Sequence, residues 1–135
     1  MNAAGIESDE PVPASQPTVL VVEDEVLIRM AVSDYLRECG FRVIEAGSAD
    51  EAVEVLKADT AADIVFSDVN MPGSLDGFGL AQWIRRERPR LKVILTSGVS
   101  RKAKEAGDLC EDSPFIDKPY HHGDLERHIR QLLAR

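Results

Sequence analysis

The fold of this chain is decided by one stretch of its sequence, Thr18-Val19-Leu20-Val21-Val22-Glu23-Asp24. Its first five residues are apolar or β-branched at every position, which is typical of a central parallel strand whose two faces are both covered. The predicted strand ends at two acids. In an open parallel sheet the carboxyl ends of the strands line one crevice, so polar residues there converge from distant parts of the sequence.

Four later runs also have the character of short strands, and most of them lead to a polar residue. They are residues 42–45, residues 64–66 before Asp68, residues 93–95 before Thr96, and residues 114–117 before Lys118. Longer stretches of helical period separate these runs. Such alternation predicts an α/β fold with a doubly wound parallel sheet, built from five strand and helix units.

Capping residues mark the ends of the predicted helices. Gly40 follows the first apolar helical stripe as a C-terminal cap, and Ser48 with Glu51 three residues later matches a capping box. Residues 100–107 have a weaker apolar face and predict a fourth helix. A clear stripe that begins at Leu125 predicts a fifth helix near the end of the chain.

Length, composition and charge limit the class of protein. The chain has 135 residues, 44% of them hydrophobic, and a net charge of −8 at pH 7, which fits one α/β domain. We expect a disordered tail over residues 1–17, which are rich in Pro, Ser, Ala and acids, and a folded domain over residues 18–135. The acidic balance disfavours a nucleic-acid partner. No apolar run approaches the roughly 20 residues of a membrane span, so we expect no membrane contact and a cytoplasmic location.

The residue types at the strand ends match the demands of phosphoryl transfer to an aspartate. A carboxylate can attack phosphorus, and Asp68 is the candidate acceptor. The carboxylate and the incoming phosphoryl group repel each other unless a cation lies between them, and Mg²⁺ or Mn²⁺ suits a site made of oxygen ligands. The candidate metal ligands are Asp24, Asp68 and the backbone carbonyl of Asn70, with Glu23 binding through a water.

Two further residues are expected to contact the transferred group. Lys118 supplies a mobile positive charge that pairs first with Asp68 and then with the phosphoryl oxygens. Thr96 would donate its hydroxyl to another phosphoryl oxygen. Each of these signals is common on its own, but their order and their placement at strand ends make the set specific.

These motifs resemble the receiver domain of response regulators in bacterial two-component signalling. The resemblance covers residues 18–135 and rests on Val22-Glu23-Asp24-Glu25, Asp68-Val69-Asn70-Met71-Pro72, Asp76-Gly77, Thr96 and Lys118-Pro119. It implies a flavodoxin-like sheet of five parallel strands in the order 2-1-3-4-5 with five helices. It also implies that Asp68 accepts a phosphoryl group from a histidine kinase or histidine phosphotransfer protein. By the same resemblance, Thr96 and Phe115 are the switch residues, and the Lys118–Pro119 peptide is cis.

The sequence also leads to expectations about how this domain acts. We expect a stand-alone receiver that assists only its own phosphorylation and dephosphorylation and is not an enzyme for separate substrates. It would signal to an unknown downstream protein through the surface of the fourth predicted helix, the fifth strand and the fifth helix. The phosphoryl donor is expected to dock on the first helix, around Val26, Ile28, Arg29 and Met30, and on the loop at Pro119-Tyr120.

Two segments depart from the usual receiver pattern. The loop at residues 72–77 is one residue longer than the common form. Residues 109–114 replace the usual small turn before the fifth strand. These differences affect the loop that follows Asp68 and the surface beside the last strand.

Several alternatives share these sequence features. A phosphate sink needs the same acceptor chemistry and differs only in what binds afterwards, whereas a phosphorylation-independent interaction module would not need Asp68. An aspartyl-phosphate phosphatase of the haloacid-dehalogenase type expects a second aspartate two residues after the nucleophile, where this chain has Asn70. The adjacent His121 and His122 could suggest a metal site, but neighbouring loop residues seldom share one metal without further ligands.

Overall fold

A computed structural model of the chain describes residues 16–58, 60–98 and 115–135. It contains five strands: β1 Thr18–Val22, β2 Arg42–Ala46, β3 Ile64–Asp68, β4 Lys92–Ser97 and β5 Phe115–Asp117. Within the described residues there are four helices: α1 Val26–Glu38, α2 Ala49–Lys57, α3 Gly77–Glu87 and α4 His122–Leu133. The predicted fourth helix at residues 100–107 lies outside the described residues, so α4 corresponds to the predicted fifth helix.

The five strands form one parallel sheet in the order β2-β1-β3-β4-β5. This order confirms the flavodoxin-like fold that the resemblance implied. The register places Asp68 beside Thr96 on the neighbouring strand and Ser97 beside Asp117. The ends of β3, β4 and β5 therefore meet at one edge of the sheet, as parallel pairing requires.

The hydrophobic core lies on both faces of the sheet. On one face, Leu20 and Val22 pack with the buried sides of α2 and α3. On the other face, Val19 and Val21 pack with α1 and α4. Each fully buried Leu or Val side chain contributes roughly 1.5–3 kcal/mol. Because alternate residues of β1 serve opposite layers, the strand is apolar at every position.

The predicted capping residues lie at the helix ends. Gly40, with φ 98°, follows the C-terminus of α1 in the left-handed region, which favours glycine. The Ser48 hydroxyl accepts from the Glu51 N–H at 3.0 Å, as the capping box predicts. The Glu51 carboxylate accepts from the Gly47 N–H at 2.6 Å, one residue earlier than in the standard box.

Arg88 joins the C-terminal ends of α2 and α3. Its guanidinium donates to the Leu56 carbonyl at 3.3 Å and lies over the Trp83 ring, with 5.7 Å between Cζ and the ring centroid. Positive charge is favourable at these helix ends, where carbonyl groups are left without intrahelical partners. Arg88 therefore ties together the two helices that cover one face of the sheet.

The predicted N-terminal tail falls almost wholly outside the described residues. Residues 16 and 17 precede β1 without regular secondary structure, and the Pro17 carbonyl accepts from the Arg42 N–H at 2.9 Å. Among the residues that the structure describes, no helix combines the length and the apolar character needed to cross a membrane.

Candidate functional site

Asp68 is the last residue of β3, and only 6% of it is exposed. Its Oδ2 accepts from the Lys118 ammonium at 3.1 Å. Its Oδ1 is also buried and has no hydrogen-bond partner among the described residues. A buried carboxylate oxygen normally has a partner. The unmatched oxygen therefore points to a group that this carboxylate has yet to bind.

Three carboxylates form one cluster at this edge of the sheet. One oxygen from each of Glu23, Asp24 and Asp68 lies within 4.8 Å of the others. Glu23 is buried with 6% exposure, and Asp24 is more exposed. The strand order explains the meeting, because β1 and β3 are neighbours and both end here.

Burial and the close approach of these carboxylates disfavour the negative charge of Glu23. Burial, with a smaller contribution from the charge of Asp68, raises the pKa of the Glu23 carboxyl to about 7, although the Glu25 N–H and Lys118 act in the opposite direction. The Glu25 N–H donates to Glu23 Oε2 at 3.1 Å. Burial also raises the pKa of the nearby Tyr120 phenol to about 12, with contributions from Glu23 and Asp68.

The donor set fits a small divalent cation. It consists of clustered carboxylate oxygens, the ligand type that Mg²⁺ and Mn²⁺ prefer, and Asp68, one of the three contributing residues, has a buried Oδ1 with no hydrogen-bond partner among the described residues. Asn70 follows Asp68 by two residues, and its side-chain amide donates to Ser97 Oγ at 3.4 Å. That contact ties the start of the loop to the end of β4. It involves the side chain and not the backbone carbonyl of Asn70, which stays a predicted metal ligand.

Lys118 reaches the cluster from the end of β5. Its backbone N–H donates to the Ser97 carbonyl at 3.1 Å, and the following peptide bond to Pro119 is cis, as the resemblance implied. The Lys118 side chain is 32% exposed, against 8% for that of Asp68. The ion pair therefore sits at the mouth of the site, where the ammonium can move towards an incoming anion.

The Thr96 hydroxyl is bonded to the neighbouring strand β5, whereas the sequence predicts that it donates to a phosphoryl oxygen. Thr96 is buried beside Asp68, but its Oγ1 donates to the Ile116 carbonyl of β5 at 2.7 Å. Phe115 is half-buried and packs on the core layer of α2 and α3. The structure thus places both predicted switch residues close to the β4 and β5 strand ends, with the Thr96 hydroxyl engaged by β5.

Several contacts around the site were missed from the sequence. The Ser67 hydroxyl donates to the Asp68 carbonyl at 2.8 Å, and the Arg29 guanidinium donates to the Glu23 carbonyl at 2.8 Å. Side-chain to backbone contacts of this kind leave no periodic pattern in a sequence. A glycine at position 77 was a usable signal, because a Cβ there would lie 2.7 Å from Val69 Cα.

The loop after Asp68 is tied to the start of α2. Asp50 accepts from the Ser74 N–H at 3.1 Å and from the Ser74 hydroxyl, and these bonds lower the pKa of the Asp50 carboxyl. Gly73, with φ 115°, passes so close that a Cβ would lie 2.7 Å from Asp50 Oδ2. The loop is thereby attached to a helix that does not contribute to the carboxylate cluster.

The first turns of α1 present an exposed apolar surface next to the site. Its large side chains are Val26, Leu27, Ile28 and Met30, exposed by 54%, 80%, 39% and 48%. An apolar groove runs between this helix and Pro119 and Tyr120. Arg29 was predicted to belong to the same docking surface; its guanidinium turns inward to the Glu23 carbonyl and to Glu45, and its part in docking stays a prediction.

The two adjacent histidines have other surroundings. His121 is the N-cap residue of α4, and the His122 ring lies 5.2 Å from the Tyr35 ring and 6.3 Å from the Tyr120 ring, measured between centroids. Neither histidine joins a group of possible metal ligands within the described part of the chain. His122 is therefore a packing residue between α1 and the loop before α4.

Comparisons with known proteins agree with this geometry. The family model of the response regulator receiver domain matches residues 19–130. The chain is 36% identical over 121 residues to the sensor kinase CckA of Brucella abortus, and 36% identical over 122 residues to the transcriptional regulatory protein PdtaR of Mycobacterium tuberculosis. Each match covers 87% of this chain, but this corresponds to 13% of CckA and 57% of PdtaR.

A solved structure provides the corresponding comparison in three dimensions. The response regulator protein TrrA of Thermotoga maritima, crystallised in complex with Mg²⁺-BeF, matches with a TM-score of 0.78 and 25% identity. The match covers 87% of this chain and 99% of that chain. Receiver domains bind Mg²⁺ at an acidic pocket and are phosphorylated on an aspartate by histidine kinases. On these grounds the chain belongs to the response regulator receiver domain family.

Proposed function

We propose that this chain accepts a phosphoryl group on Asp68 from a phosphohistidine donor, with Mg²⁺ or Mn²⁺ bound beside it. The observation that carries this proposal is the unequal state of the two Asp68 oxygens. Oδ2 is held by Lys118 at 3.1 Å, and Oδ1 is buried without a hydrogen-bond partner in the part of the chain that the structure describes. A carboxylate held in this way presents one oxygen for attack and keeps the other paired with a cation.

The transfer requires one bond to form and one to break. One carboxylate oxygen of Asp68 attacks phosphorus, the bond from phosphorus to the donor imidazole nitrogen breaks, and that nitrogen keeps the electron pair and takes up a proton. Asp24, Asp68 and the Asn70 carbonyl would hold the metal, and Glu23 would bind it through a water. A bound divalent cation neutralises charge between the acceptor and the phosphoryl group. Lys118 then follows the phosphoryl oxygens.

The donor docks on the exposed apolar surface of α1 and on the groove beside Pro119 and Tyr120. This location is supported by the large exposed fraction of Leu27 and Met30 and by Lys118, which lines the same groove. A donor histidine that reaches Asp68 must pass this groove. The partner is therefore a histidine kinase or a histidine phosphotransfer protein with an apolar helical face, and both imply a cytoplasmic encounter.

Phosphorylation of Asp68 changes the contacts between β4 and β5 near Thr96. Thr96 has two competing acceptors for its hydroxyl, the Ile116 carbonyl in the present structure and a phosphoryl oxygen after transfer. A signal arises only if the two states differ in their contacts. We propose that the downstream partner binds the surface formed by β5 and α4, so that the receiver signals through its own surface.

We further propose that the chain turns over no separate phosphate ester. Asn70 stands two residues after the acceptor, where a phosphatase of the haloacid-dehalogenase type would carry a second aspartate. Phosphoryl transfer then ends on Asp68 and is followed only by hydrolysis of the acyl phosphate. A phosphate sink uses the same chemistry and differs in lacking a downstream partner.

Intact mass spectrometry after incubation with acetyl phosphate tests this function. One added phosphoryl group is expected with Mg²⁺, and none after chelation or in Asp68→Asn. Asp34→Asn is the matched control, because it removes one carboxylate from an exposed position on α1 and should leave the gain in mass unchanged. Phosphorylation of folded Asp68→Asn to the wild-type extent would overturn the proposal.

A further inference from the structure

Arg29 connects α1 with the carboxylate cluster. Its side chain is 19% exposed, and the guanidinium Nε pairs with Glu45 Oε1 at 3.3 Å. A second guanidinium nitrogen donates to the Glu23 carbonyl at 2.8 Å. One side chain therefore bridges a carboxylate on β2 and the backbone of the acidic pair, a geometry that the planar fork of arginine allows.

The backbone of Glu23 is held on both sides. Its N–H donates to the Ala46 carbonyl of β2 at 3.1 Å, and its carbonyl accepts from Arg29 at 2.8 Å. The peptide between Glu23 and Asp24 includes that carbonyl. A hydrogen bond at this point limits rotation of the peptide, and so it limits where the Asp24 carboxylate can lie relative to Asp68.

The start of α1 has no side-chain cap at its N-cap residue, Glu25. Arg29 is four residues into the helix, and its own N–H donates to the Glu25 carbonyl at 2.9 Å. The side chain thus reaches back over the first turn to the Glu23 carbonyl, three residues before the helix begins.

The surroundings of Arg29 are shaped to keep the guanidinium in place. Gly47 lies so close that a Cβ there would be 3.2 Å from a guanidinium nitrogen. Glu45 is itself held from the other side by Arg37, at 3.1 Å from Glu45 Oε2. The acceptor for Arg29 is therefore fixed before any metal arrives.

We propose that Arg29, braced by Glu45, is a positioning residue that sets the Glu23–Asp24 peptide for divalent metal binding. This inference rests on the proposed function, because it concerns the same metal site. Arg29 does not touch the metal. It acts through the Glu23 carbonyl, as outer groups commonly do around metal ligands, where their loss weakens metal affinity by roughly 10–100-fold.

Arg37 offers a matched control for the charge and for the contact with Glu45. Arg29→Gln and Arg37→Gln each remove one positive charge and one partner of Glu45. Arg37 contacts the Val43 carbonyl instead of the Glu23 carbonyl. A difference between the two variants therefore reports the contact with Glu23 and not the loss of charge.

The test is the Mg²⁺ dissociation constant, measured by titration calorimetry on the full chain, with urea unfolding measured in parallel. We expect Arg29→Gln to weaken Mg²⁺ binding by about tenfold and Arg37→Gln by less than about twofold. Arg29→Lys should fall between wild type and Arg29→Gln, because one ammonium cannot serve both acceptors. Glu45→Gln should weaken binding in the same direction by removing the brace.

Each outcome bears on the inference. Equal Mg²⁺ affinities in the two glutamine variants would overturn it, whether both are weak or both match wild type. If Arg29→Gln does not fold, Arg29→Lys and Glu45→Gln decide the same question, and wild-type affinity in both would overturn it. A wild-type chain that neither binds Mg²⁺ nor gains mass from acetyl phosphate would instead refute the proposed function together with this inference.

Discussion

The hydroxyl of Thr96 donates to the carbonyl of Ile116 on β5 at 2.7 Å. The register partner of Thr96 is Asp68 on β3, the strand that flanks β4 on its other side. The residue that lies beside the acceptor is therefore bonded to the next strand. Under the proposed function, this hydroxyl would exchange the β5 carbonyl for a phosphoryl oxygen after transfer. Under that function, Thr96 would be the point at which the state of Asp68 is transmitted to β5.

The first prediction follows from this contact. Thr96→Val keeps the shape of the side chain but removes the hydroxyl, and we expect it to lower the free energy of unfolding by about 1 kcal/mol. In wild type, addition of beryllofluoride with Mg²⁺ should shift the Ile116 carbonyl ¹³C resonance towards its position in Thr96→Val. Thr96→Ser retains the hydroxyl and should respond as wild type does. An Ile116 resonance that stays unchanged in wild type would contradict the prediction.

A second prediction concerns two glycines in the first turn of α3. A Cβ at Gly77 would lie 2.7 Å from Val69 Cα, whereas a Cβ at Gly79 would lie 2.8 Å from Leu75 Cδ2. Backbone cannot yield as a leucine side chain can. We expect Gly77→Ala to cost about 1–3 kcal/mol or more and Gly79→Ala to stay within about 1 kcal/mol of wild type, helped by the helix propensity of alanine. Urea unfolding checks both, and equal losses would contradict this.

A third prediction compares two fully buried serines. Ser33 Oγ has no hydrogen-bond partner among the described residues, whereas Ser67 Oγ donates to the Asp68 carbonyl at 2.8 Å. Ser33→Ala removes a buried unmatched hydroxyl and should be neutral or stabilising by up to about 1 kcal/mol. Ser67→Ala should destabilise by about 1 kcal/mol. Thermal unfolding of both variants at the same pH checks this ranking, and a greater loss of stability in Ser33→Ala than in Ser67→Ala would contradict it.

A fourth prediction concerns the pH dependence that Glu23 confers. Burial raises the pKa of its carboxyl from 4.5 to about 7, so between these values the folded chain holds a proton that the unfolded chain has lost. The contribution of Glu23 to the stability of the metal-free chain therefore falls as pH rises from about 4.5 to about 7. We expect Glu23→Gln to be more stable than wild type above pH 7, with a difference that shrinks towards pH 4.5.

The control for this effect is Glu25→Gln, at an exposed position two residues away. It should leave the pH profile of stability unchanged. Mg²⁺ affinity should also rise with pH through about 7 in wild type, because the metal requires the deprotonated carboxylate. If the difference in unfolding free energy between wild type and Glu23→Gln is the same at pH 5 and at pH 8, this account is ruled out.

The architecture was accessible from the sequence because burial on both faces leaves a simple pattern. β1 is apolar at every position, and a parallel strand of that kind has to be central. Once the strand ends were located, the meeting of Asp24, Asp68 and Lys118 followed from the rule that parallel strands end at one edge. The clustering of these residues is found in the structure, as is the sheet order that the family resemblance implied.

The contacts that fix the site were less accessible, because they depend on the direction of single side chains. Arg29 occupies a position that fits an exposed docking surface, and its spacing along α1 does not reveal that the guanidinium turns back to the Glu23 carbonyl. The tether from Asp50 to Ser74 joins residues 24 positions apart. The Thr96 hydroxyl donates to the Ile116 carbonyl, an acceptor that the sequence does not reveal.

The contact between Arg88 and Trp83 determines what the natural fluorescence of this protein can report. Trp83 is the one tryptophan in the chain, and it lies six residues beyond Gly77, about 9 Å along the axis of α3. Its indole is covered by Arg88, which is also bonded to α2. Tryptophan emission should therefore follow separation of the two helices during denaturation and remain nearly silent when magnesium is added.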